Sequence, residues 1–377
     1  MAFAGMALTA GSASAATAPM LAFVQPPEVP PFRSGFAACV DPLSLRPTSP
    51  RVRVIENHDA WALSPDRRQL ALGISAPGET MRIGVRIIDL RDWSVRDVET
   101  GVYADALAWV TPRRLVARLG VAGVFFPDRP TVPAGPKVAV IDPVSATIVS
   151  RVRLGVRTGP AAAARRHLVM LAGVRERLVW VDATGRLQDV RLRLDSGALL
   201  VDAARERAYV FAKAGRRVAA VNLTTGRVGY RRLRPVSFAT HRRSEIPVPR
   251  AGGDGREPRG RAVWLGARLA SVALGEGARL VDLRRWTVQT IDRRAVGVAL
   301  MSDGLVAYGP RGVRAYGLNG GLRFELLGRA RAWNLVSTGS RAYASTRLNL
   351  HVLDLRRGRI VRRLRPAPSV EPIPGRC

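Results

Sequence analysis

The sequence predicts an all-β protein built from one repeated unit of antiparallel strands. The unit is clearest near residues 341–364, where three short alternating runs, Ala342 to Ser345, Leu350 to Leu355 and Arg359 to Leu364, are joined by polar turns. Alternation with a period of two, β-branched and aromatic residues, and short turns that contain Gly are typical of strands joined as hairpins. This stretch is therefore predicted to be a meander of antiparallel strands.

Related copies of this unit recur along the chain. Each copy has an anchor, an apolar run that ends at a turn: Ile87-Ile88-Asp89-Leu90, Val140-Ile141-Asp142-Pro143, Trp180-Val181-Asp182-Ala183, Ala220-Val221-Asn222-Leu223, Leu280-Val281-Asp282-Leu283, the degenerate Ala315-Tyr316-Gly317-Leu318, and Val352-Leu353-Asp354-Leu355. The steps between anchors are 53, 40, 40, 60, 35 and 37 residues, which centre near the length of a four-stranded propeller blade. The spacing predicts a seven-bladed β-propeller.

The strands around each anchor are predicted in the same way. An outer strand follows the anchor, at Trp93 to Val98, Ala146 to Val152, Arg186 to Leu192, Arg227 to Leu233, Thr287 to Ile291, Leu322 to Leu327 and Arg359 to Leu364. Each unit begins with a run of small residues, at Ala60 to Leu63, Ala106 to Val110, Ala161 to Ala164, Ala198 to Val201, Ala262 to Leu265, Val296 to Leu300 and Ala332 to Val336. These small runs are expected to be the inner strands, because large side chains do not fit around a crowded central axis.

Two motifs resemble known bacterial propellers. Ser64-Pro65-Asp66-Arg67 resembles the Ser-Pro-Asp-Gly turn of WD40-like, TolB-like and YVTN-type proteins, with Arg67 in place of Gly, and the repeated Val-x-Val-Ile-Asp-Leu-x-x-x-x-Val pattern is similar to YVTN and quinoprotein amine dehydrogenase-like repeats. The resemblance covers about residues 51 to 365 and implies an architecture, not a chemistry. The blade motif of pyrroloquinoline quinone enzymes is absent from the sequence, so no cofactor is expected.

The charge allows two interpretations. The 377 residues carry a formal net charge of +31, and Lys137 and Lys213 are the only lysines among 60 basic residues. Arginines spread along solvent-facing strands favour a solvated surface, and binding to an acidic polymer of the cell envelope is kept as an alternative. Nucleic acid is not the expected partner.

Both ends of the chain carry further signals. Residues 1–16 are small and apolar and end in Ala13-Ser14-Ala15-Ala16, which predicts a signal peptide and a secreted or envelope-associated protein. Residues 17–50 are predicted to be a proline-rich lead-in, residues 51–365 a single propeller domain, and residues 366–377 a tail. No stretch is long and apolar enough for a membrane span. A monomer is expected.

The chain has two cysteines, Cys39 and Cys377. An even pair in an exported protein predicts a disulfide, and a closed ring brings its ends together; two free thiols are the alternative. The bond would close a loop of more than 300 residues, which is worth about 5 kcal/mol in the chain-entropy model.

The segment Arg51 to Ile55 resembles an outer strand. It either adds an edge strand or replaces Arg359 to Leu364 in closing the ring.

Two insertions explain the long steps between anchors. Gly120 to Pro136 separates the second and third strands of unit two, and His241 to Arg261 separates units four and five. Both connections emerge on the same face of a propeller, so we expect the binding site there. The candidate site residues of this face are carboxylates, one histidine and aromatic residues: Glu56, His58, Asp59, Tyr103, Asp105, Phe125, Phe126, Asp128, Asp195 and Trp333.

No catalytic motif stands out. The four histidines are His58, His167, His241 and His351, and they lie in different units without zinc-ligand spacing. The sequence has no Gly-x-Ser-x-Gly elbow and no phosphate-binding glycine loop. The first function hypothesis is therefore an exported non-catalytic scaffold that binds an unknown protein or acidic polymer. The alternatives are a secreted enzyme with a site in the central channel and a basic envelope protein that binds acidic polymers.

Overall fold

The computed structural model describes residues 18–25, 35–54, 60–75, 83–102, 104–119, 137–155, 158–172, 177–212, 216–233, 263–265, 268–273, 277–328, 330–373 and 377. These residues form 32 β-strands and one 3-10 turn, Ala203–Arg205. The described part contains no helix that is long and apolar enough to cross a membrane. The all-β prediction is confirmed.

Three strands come first in the chain. They are β1 (Met20–Gln25), β2 (Gly35–Val40) and β3 (Val52–Val54). The next 28 strands form seven sheets of four consecutive strands each, which we call blades 1 to 7. One last strand, β32 (Ser369–Pro372), follows them.

The bounds of the 28 strands are as follows. Blade 1 contains β4 (Trp61–Leu63), β5 (Gln69–Ser75), β6 (Ile83–Asp89) and β7 (Val95–Glu99); blade 2 contains β8 (Ala104–Thr111), β9 (Arg114–Leu119), β10 (Lys137–Asp142) and β11 (Thr147–Arg153). Blade 3 contains β12 (Thr158–Ala163), β13 (Leu168–Ala172), β14 (Arg177–Val181) and β15 (Leu187–Arg191); blade 4 contains β16 (Ser196–Asp202), β17 (Arg207–Ala212), β18 (Arg217–Asn222) and β19 (Val228–Arg232). Blade 5 contains β20 (Val263–Leu265), β21 (Arg268–Ala273), β22 (Gly277–Asp282) and β23 (Thr287–Asp292). Blade 6 contains β24 (Gly297–Met301), β25 (Gly304–Gly309), β26 (Gly312–Gly317) and β27 (Leu322–Leu326); blade 7 contains β28 (Asn334–Ser337), β29 (Arg341–Ser345), β30 (Leu350–Asp354) and β31 (Arg359–Leu364).

An eighth sheet joins the two ends of the chain. Its strand order is β3-β2-β1-β32, and β1 pairs with β32 through Val24 and Val370 among others. The inner strands of neighbouring blades contact one another, and β32 contacts β28 in the same way, so β32 is the inner strand of this closing blade. The C-terminal strand therefore completes a sheet that three N-terminal strands begin.

The closing blade changes three expectations. The described residues form eight four-stranded sheets, so the predicted count of seven is not confirmed; the seven predicted units are blades 1 to 7. Residues 17–50 and 366–377, predicted to be a lead-in and a tail, supply β1, β2 and β32 of the eighth sheet. Arg51 to Ile55 neither joins nor replaces the outer strand of blade 7, because β3 is the outer strand of the closing blade.

The hydrophobic core is divided among the interfaces between blades. The buried apolar residues form eight clusters, and each cluster draws its residues from two neighbouring blades. One cluster packs the closing blade on blade 1 through Phe23 and Leu72, and another packs it on blade 7 through Val24 and Tyr343. The ring is therefore closed by the same apolar packing that joins the other blades.

In six of blades 1 to 7, the anchor ends the third strand by capping a tight turn. Asp89, Asp142, Asp182, Asn222, Asp282 and Asp354 each accept a hydrogen bond from the backbone N–H two residues later, at 2.8–3.1 Å. Short polar side chains suit this role because they mimic a backbone acceptor within the turn. The repeated Asp of the sequence is thus a structural residue of the fold.

The meander gives the ring two unlike faces. Connections from the first to the second strand and from the third to the fourth lie at one end of the sheets, which we call the turn face. Connections from the second to the third strand and from one blade to the next lie at the opposite end, the long-loop face. Gly120 to Pro136 and His241 to Arg261 belong to connections of this second kind, and both lie outside the described residues.

The predicted disulfide is present. Cys39 of β2 and Cys377 form it, with their Cα atoms 5.6 Å apart. Cys39 belongs to the closing blade, where the N–H of Ile373 also donates to the carbonyl of Leu21 at 2.9 Å. The bond therefore fastens the end of the chain to the sheet that closes the ring.

Candidate binding face

The described candidate residues all lie at the long-loop face. Asp105 is the second residue of β8, Asp195 directly precedes β16, and Trp333 directly precedes β28. Each position is the entrance to an inner strand, as the sequence predicts. The remaining candidates, Glu56, His58, Asp59, Tyr103, Phe125, Phe126 and Asp128, lie outside the described residues.

These three residues do not form one cluster. Asp105 belongs to blade 2, Asp195 enters blade 4, and Trp333 enters blade 7, so other blades separate them around the ring. The described candidates therefore lie at several points of the face and not in one compact centre.

Asp105 forms an ion pair with an arginine that also contacts the next blade. Its carboxylate accepts two hydrogen bonds from the guanidinium of Arg118 on β9, from Nε at 2.6 Å and from Nη2 at 2.9 Å. The Nη1 atom of Arg118 donates to the carbonyl of Gly159 on β12 of blade 3. Arg118 is buried, with 8% of its surface exposed, so its charge requires this partner. Asp105 is thus a structural residue as well as a residue of the face.

Trp333 offers an aromatic surface that already has a cationic neighbour. The guanidinium carbon of Arg331 lies 3.9 Å from the centroid of the indole ring, which is the geometry of a cation–π contact. The backbone N–H of Trp333 donates to the carbonyl of Ser345 at 2.9 Å and ties the loop to β29. The next residue, Asn334, is buried, and its Oδ1 atom has no hydrogen-bond partner among the described residues.

Two of the four histidines can be placed, and both have structural contacts. His351 of β30 is buried, and its Nε2 atom lies 3.2 Å from Oγ1 of Thr346. Burial, and then the nearby charge of Arg363, lower the pKa of His351 below its usual value. His167 Nδ1 lies 2.9 Å from the Glu206 carboxylate, between blades 3 and 4 on the turn face. Within the described ranges, no group of three or more His, Cys, Asp or Glu side chains forms a metal-binding cluster.

Two tryptophans are core residues. Trp109 and Trp180 are 5% and 2% exposed and belong to clusters between blades. The indole N–H of Trp109 also donates to the carbonyl of Ala62 in blade 1 at 3.0 Å. These rings therefore join blades and are not available for stacking with a ligand.

Arg118, and a set of basic residues where the third and fourth strands reach the long-loop face, were not predicted as site residues. Arg118 stands alone within the apolar run Leu115 to Leu119, and a single charge in a buried strand is a sign of a buried ion pair. The basic residues include Lys137, Arg177 and Arg217, which recur every 40 residues at the first position of β10, β14 and β18. This spacing of 40 residues is visible in the sequence and could have identified the three residues as equivalent positions.

Comparisons with known proteins support the fold alone. No family model and no curated protein matches this chain. Among solved structures, dihydro-heme d1 dehydrogenase NirN in complex with DHE is similar with a TM-score of 0.63 at 16% identity, over 93% of this chain and 74% of that chain. BamB from Moraxella catarrhalis is similar with a TM-score of 0.53 at 15% identity, over 83% of this chain and 89% of that chain. These similar structures are β-propellers, so the ring of four-stranded sheets found here is a β-propeller fold.

Proposed function

We propose that this protein is a non-catalytic binding scaffold whose partner docks on the long-loop face. The observation that carries the proposal is the length of two connections on that face. The connection from β9 to β10 spans residues 120–136, although Leu119 and Lys137 are direct register partners. The connection from β19 to β20 spans residues 233–262.

Equivalent connections elsewhere are much shorter. Residues 310–311 join the second and third strands of blade 6, and residues 346–349 join those of blade 7. Residues 192–195 and 293–296 join neighbouring blades. The long connections begin and end at strands with ordinary pairing, so the ring does not require their extra residues. Extra chain on one face of a rigid scaffold supports a role in recognition.

The composition of the insertions supports contact with a partner. Phe125 and Phe126 are adjacent aromatic residues of the kind that binding sites use as anchors. The second insertion is rich in Arg, Pro and Gly. The Cys39–Cys377 disulfide fits a protein that works outside the cytoplasm, where such bonds persist.

A deletion variant tests this proposal. The variant lacks Ala251 to Arg259 and carries Phe125→Ser and Phe126→Ser. We expect an unchanged melting temperature, because the ring does not need these residues, and loss of the proteins that wild type retains in a pull-down from the envelope of the source organism.

A matched control changes exposed apolar residues on the opposite face. Leu318 and Leu322 of blade 6 are 48% and 53% exposed on the turn face, so Leu318→Ser with Leu322→Ser removes similar surface. The control should retain the same proteins as wild type. If the deletion variant retained the same proteins as wild type, or if the control lost them as the deletion variant does, the placement of the site would be refuted. Turnover in a substrate screen would refute the non-catalytic role.

A further inference from the structure

Three neighbouring blades place like charges directly opposite each other. Lys137 pairs with Arg153 in blade 2, Arg177 with Arg191 in blade 3, and Arg217 with Arg232 in blade 4. In each blade the pair consists of the first residue of the third strand and the last residue of the fourth strand. All three pairs therefore lie where the outer strands meet the long-loop face. We call these six residues the basic band.

The band is continuous around the rim. Lys137 shares a strand face with Ala139 and Ile141, which pack on blade 1, and the other two pairs likewise face the preceding blade. The pairs thus occupy three successive grooves, between blades 1 and 2, 2 and 3, and 3 and 4. The first long connection ends at Lys137, and the second begins after Arg232, so the two insertions flank the band.

Like charges at such positions need an explanation. Directly opposite residues on antiparallel strands have Cβ atoms about 5 Å apart, and like charges there destabilise the sheet. Blades 1 and 6 avoid this cost with opposite charges on the same strands, because Arg86 faces Asp97 and Arg314 faces Glu325 at 2.8 and 2.6 Å. The basic band instead places like charges opposite each other in three blades.

Carboxylates neutralise only part of the band. Asp189 forms an ion pair with Arg177. Within the described part of the chain, no carboxylate contacts Lys137, Arg153, Arg217 or Arg232, and the last three of these are exposed. The two charges of blade 2 and the two of blade 4 therefore have no carboxylate contact in the described part of the chain, and charges of this kind attract an external anion.

We propose that the basic band binds an anionic polysaccharide, an extended chain of sugars with sulfate, phosphate or carboxylate groups. Packed sheets lie about 10 Å apart, so one small anion contacts one pair and only a polymer contacts all three. The inference does not depend on the proposed function, since no insertion residue takes part in it.

The aromatic content of the band disfavours single-stranded nucleic acid. Proteins that bind single strands stack the bases on exposed aromatic rings. Tyr230 lies beside the band, but Arg217 covers its ring, with the guanidinium carbon 5.7 Å from the ring centroid. Its hydroxyl accepts the N–H of Arg193 at 2.9 Å. The band therefore recognises charge along a backbone and not bases.

A double variant tests the band without weakening the fold. Arg153→Glu with Arg232→Glu places a carboxylate opposite Lys137 and opposite Arg217, so both like-charge pairs become ion pairs. The melting temperature should be unchanged or higher. Affinity for heparin, the polysaccharide probe, should fall about tenfold or more at about 0.15 M salt, and wild-type binding should weaken with added salt and with shorter heparin oligosaccharides.

The control makes the same change of charge on the turn face of the same region. Arg113 and Arg165 are exposed residues in turns of blades 2 and 3, and Arg113→Glu with Arg165→Glu should change heparin affinity less than about threefold. Equal weakening by both variants would show that net charge alone attracts heparin and would overturn the proposal, as would unchanged affinity of the band variant. If wild type instead bound single-stranded DNA more tightly than heparin of equal charge, and the band variant lost this binding, the result would assign the band to nucleic acid and overturn the proposal of a polysaccharide.

Discussion

At the residue scale, the recurring aspartates of this chain are best understood as turn caps. Asp182 shows the chemistry most fully, because its Oδ1 atom accepts hydrogen bonds from the N–H and hydroxyl of Thr184 at 2.8 and 2.7 Å and from the N–H of Arg186 at 3.0 Å. Burial opposes ionisation of this carboxyl, but the hydrogen bonds outweigh it and hold its pKa below the usual value. The next blade has Asn222 at the same position, and its Oδ1 atom accepts a hydrogen bond from the N–H of Thr224, two residues later.

This equivalence predicts the effects of two substitutions. Asp182→Asn should lower the free energy of unfolding by less than about 1 kcal/mol at neutral pH, because Asn retains the acceptor, as Asn222 does. Asp182→Ala removes three hydrogen bonds and should cost about 1–2 kcal/mol. Urea unfolding of both variants at neutral pH measures the difference. Equal losses would show that the side-chain acceptor does not stabilise the turn.

The pH dependence of the Asn variant follows from the lowered pKa. A carboxyl with a lower pKa in the folded state stabilises the fold above the unfolded pKa of about 4, and this contribution is lost as the pH falls through the folded pKa. Asn does not titrate, so the gap between wild type and Asp182→Asn should shrink between neutral pH and about pH 3. Urea unfolding at several pH values checks this, and a constant gap would contradict it.

At the scale of strands and blades, polar contacts supplement apolar packing between sheets. The Arg118–Asp105 pair of blade 2 reaches the next blade through the carbonyl of Gly159, and its arginine is buried. Removing one member of a buried ion pair costs more than replacing both, because the remaining charge loses its partner.

We therefore expect Asp105→Ala to cost about 2–4 kcal/mol of stability, since it leaves the Arg118 charge buried and unpaired. Asp105→Ala combined with Arg118→Met should cost less than the single variant. Denaturant unfolding measures the free energy of unfolding of both variants. A double variant less stable than the single one would show that the Arg118 contacts, and not its charge pairing, hold the two blades.

The strands of blades 1 to 7 could be predicted because each unit repeats the alternation and the anchor. Their predicted inner and outer strands agree with the structure to within three residues at each end. The eighth blade was missed because its strands come from both ends of the chain and the prolines suggested a lead-in. One signal was present: Val40-Asp41-Pro42 resembles the anchor Ile141-Asp142-Pro143, and Asp41 caps its turn by accepting the N–H groups of Leu43 and Ser44.

The candidate site could be predicted only as a face. The order of strands decides which connections share an end of the sheets, so Asp105, Asp195 and Trp333 were assigned to the correct end. The contacts of single residues depend on which side chains meet across strands and blades. The pairing of Asp105 with Arg118, and of Arg217 with Arg232, follows from strand register, which the sequence does not specify to one residue.

At the scale of the whole molecule, stability depends on keeping a ring closed. Each blade packs on two neighbours, and the described residues form no single central core that would hold the sheets together if one interface opened. The closing blade combines three means of closure: the pairing of β1 with β32, apolar packing on blades 7 and 1, and the Cys39–Cys377 bond.

The disulfide should contribute most through the unfolded chain. It joins residues 338 positions apart, so it restricts nearly the whole unfolded ensemble, and the chain-entropy model gives about 5–6 kcal/mol as an upper value. Cys377→Ala should therefore lower the melting temperature while the protein stays folded, because β32 keeps its hydrogen bonds to β1. A reductant should lower the melting temperature of wild type toward that of the variant and leave the variant unchanged. Thermal unfolding of both proteins with and without reductant tests this, and intact mass under non-reducing conditions confirms the bond in the starting protein. If the oxidised wild type and Cys377→Ala unfold at the same temperature, the strands and the apolar interfaces close the ring without help from the covalent bond.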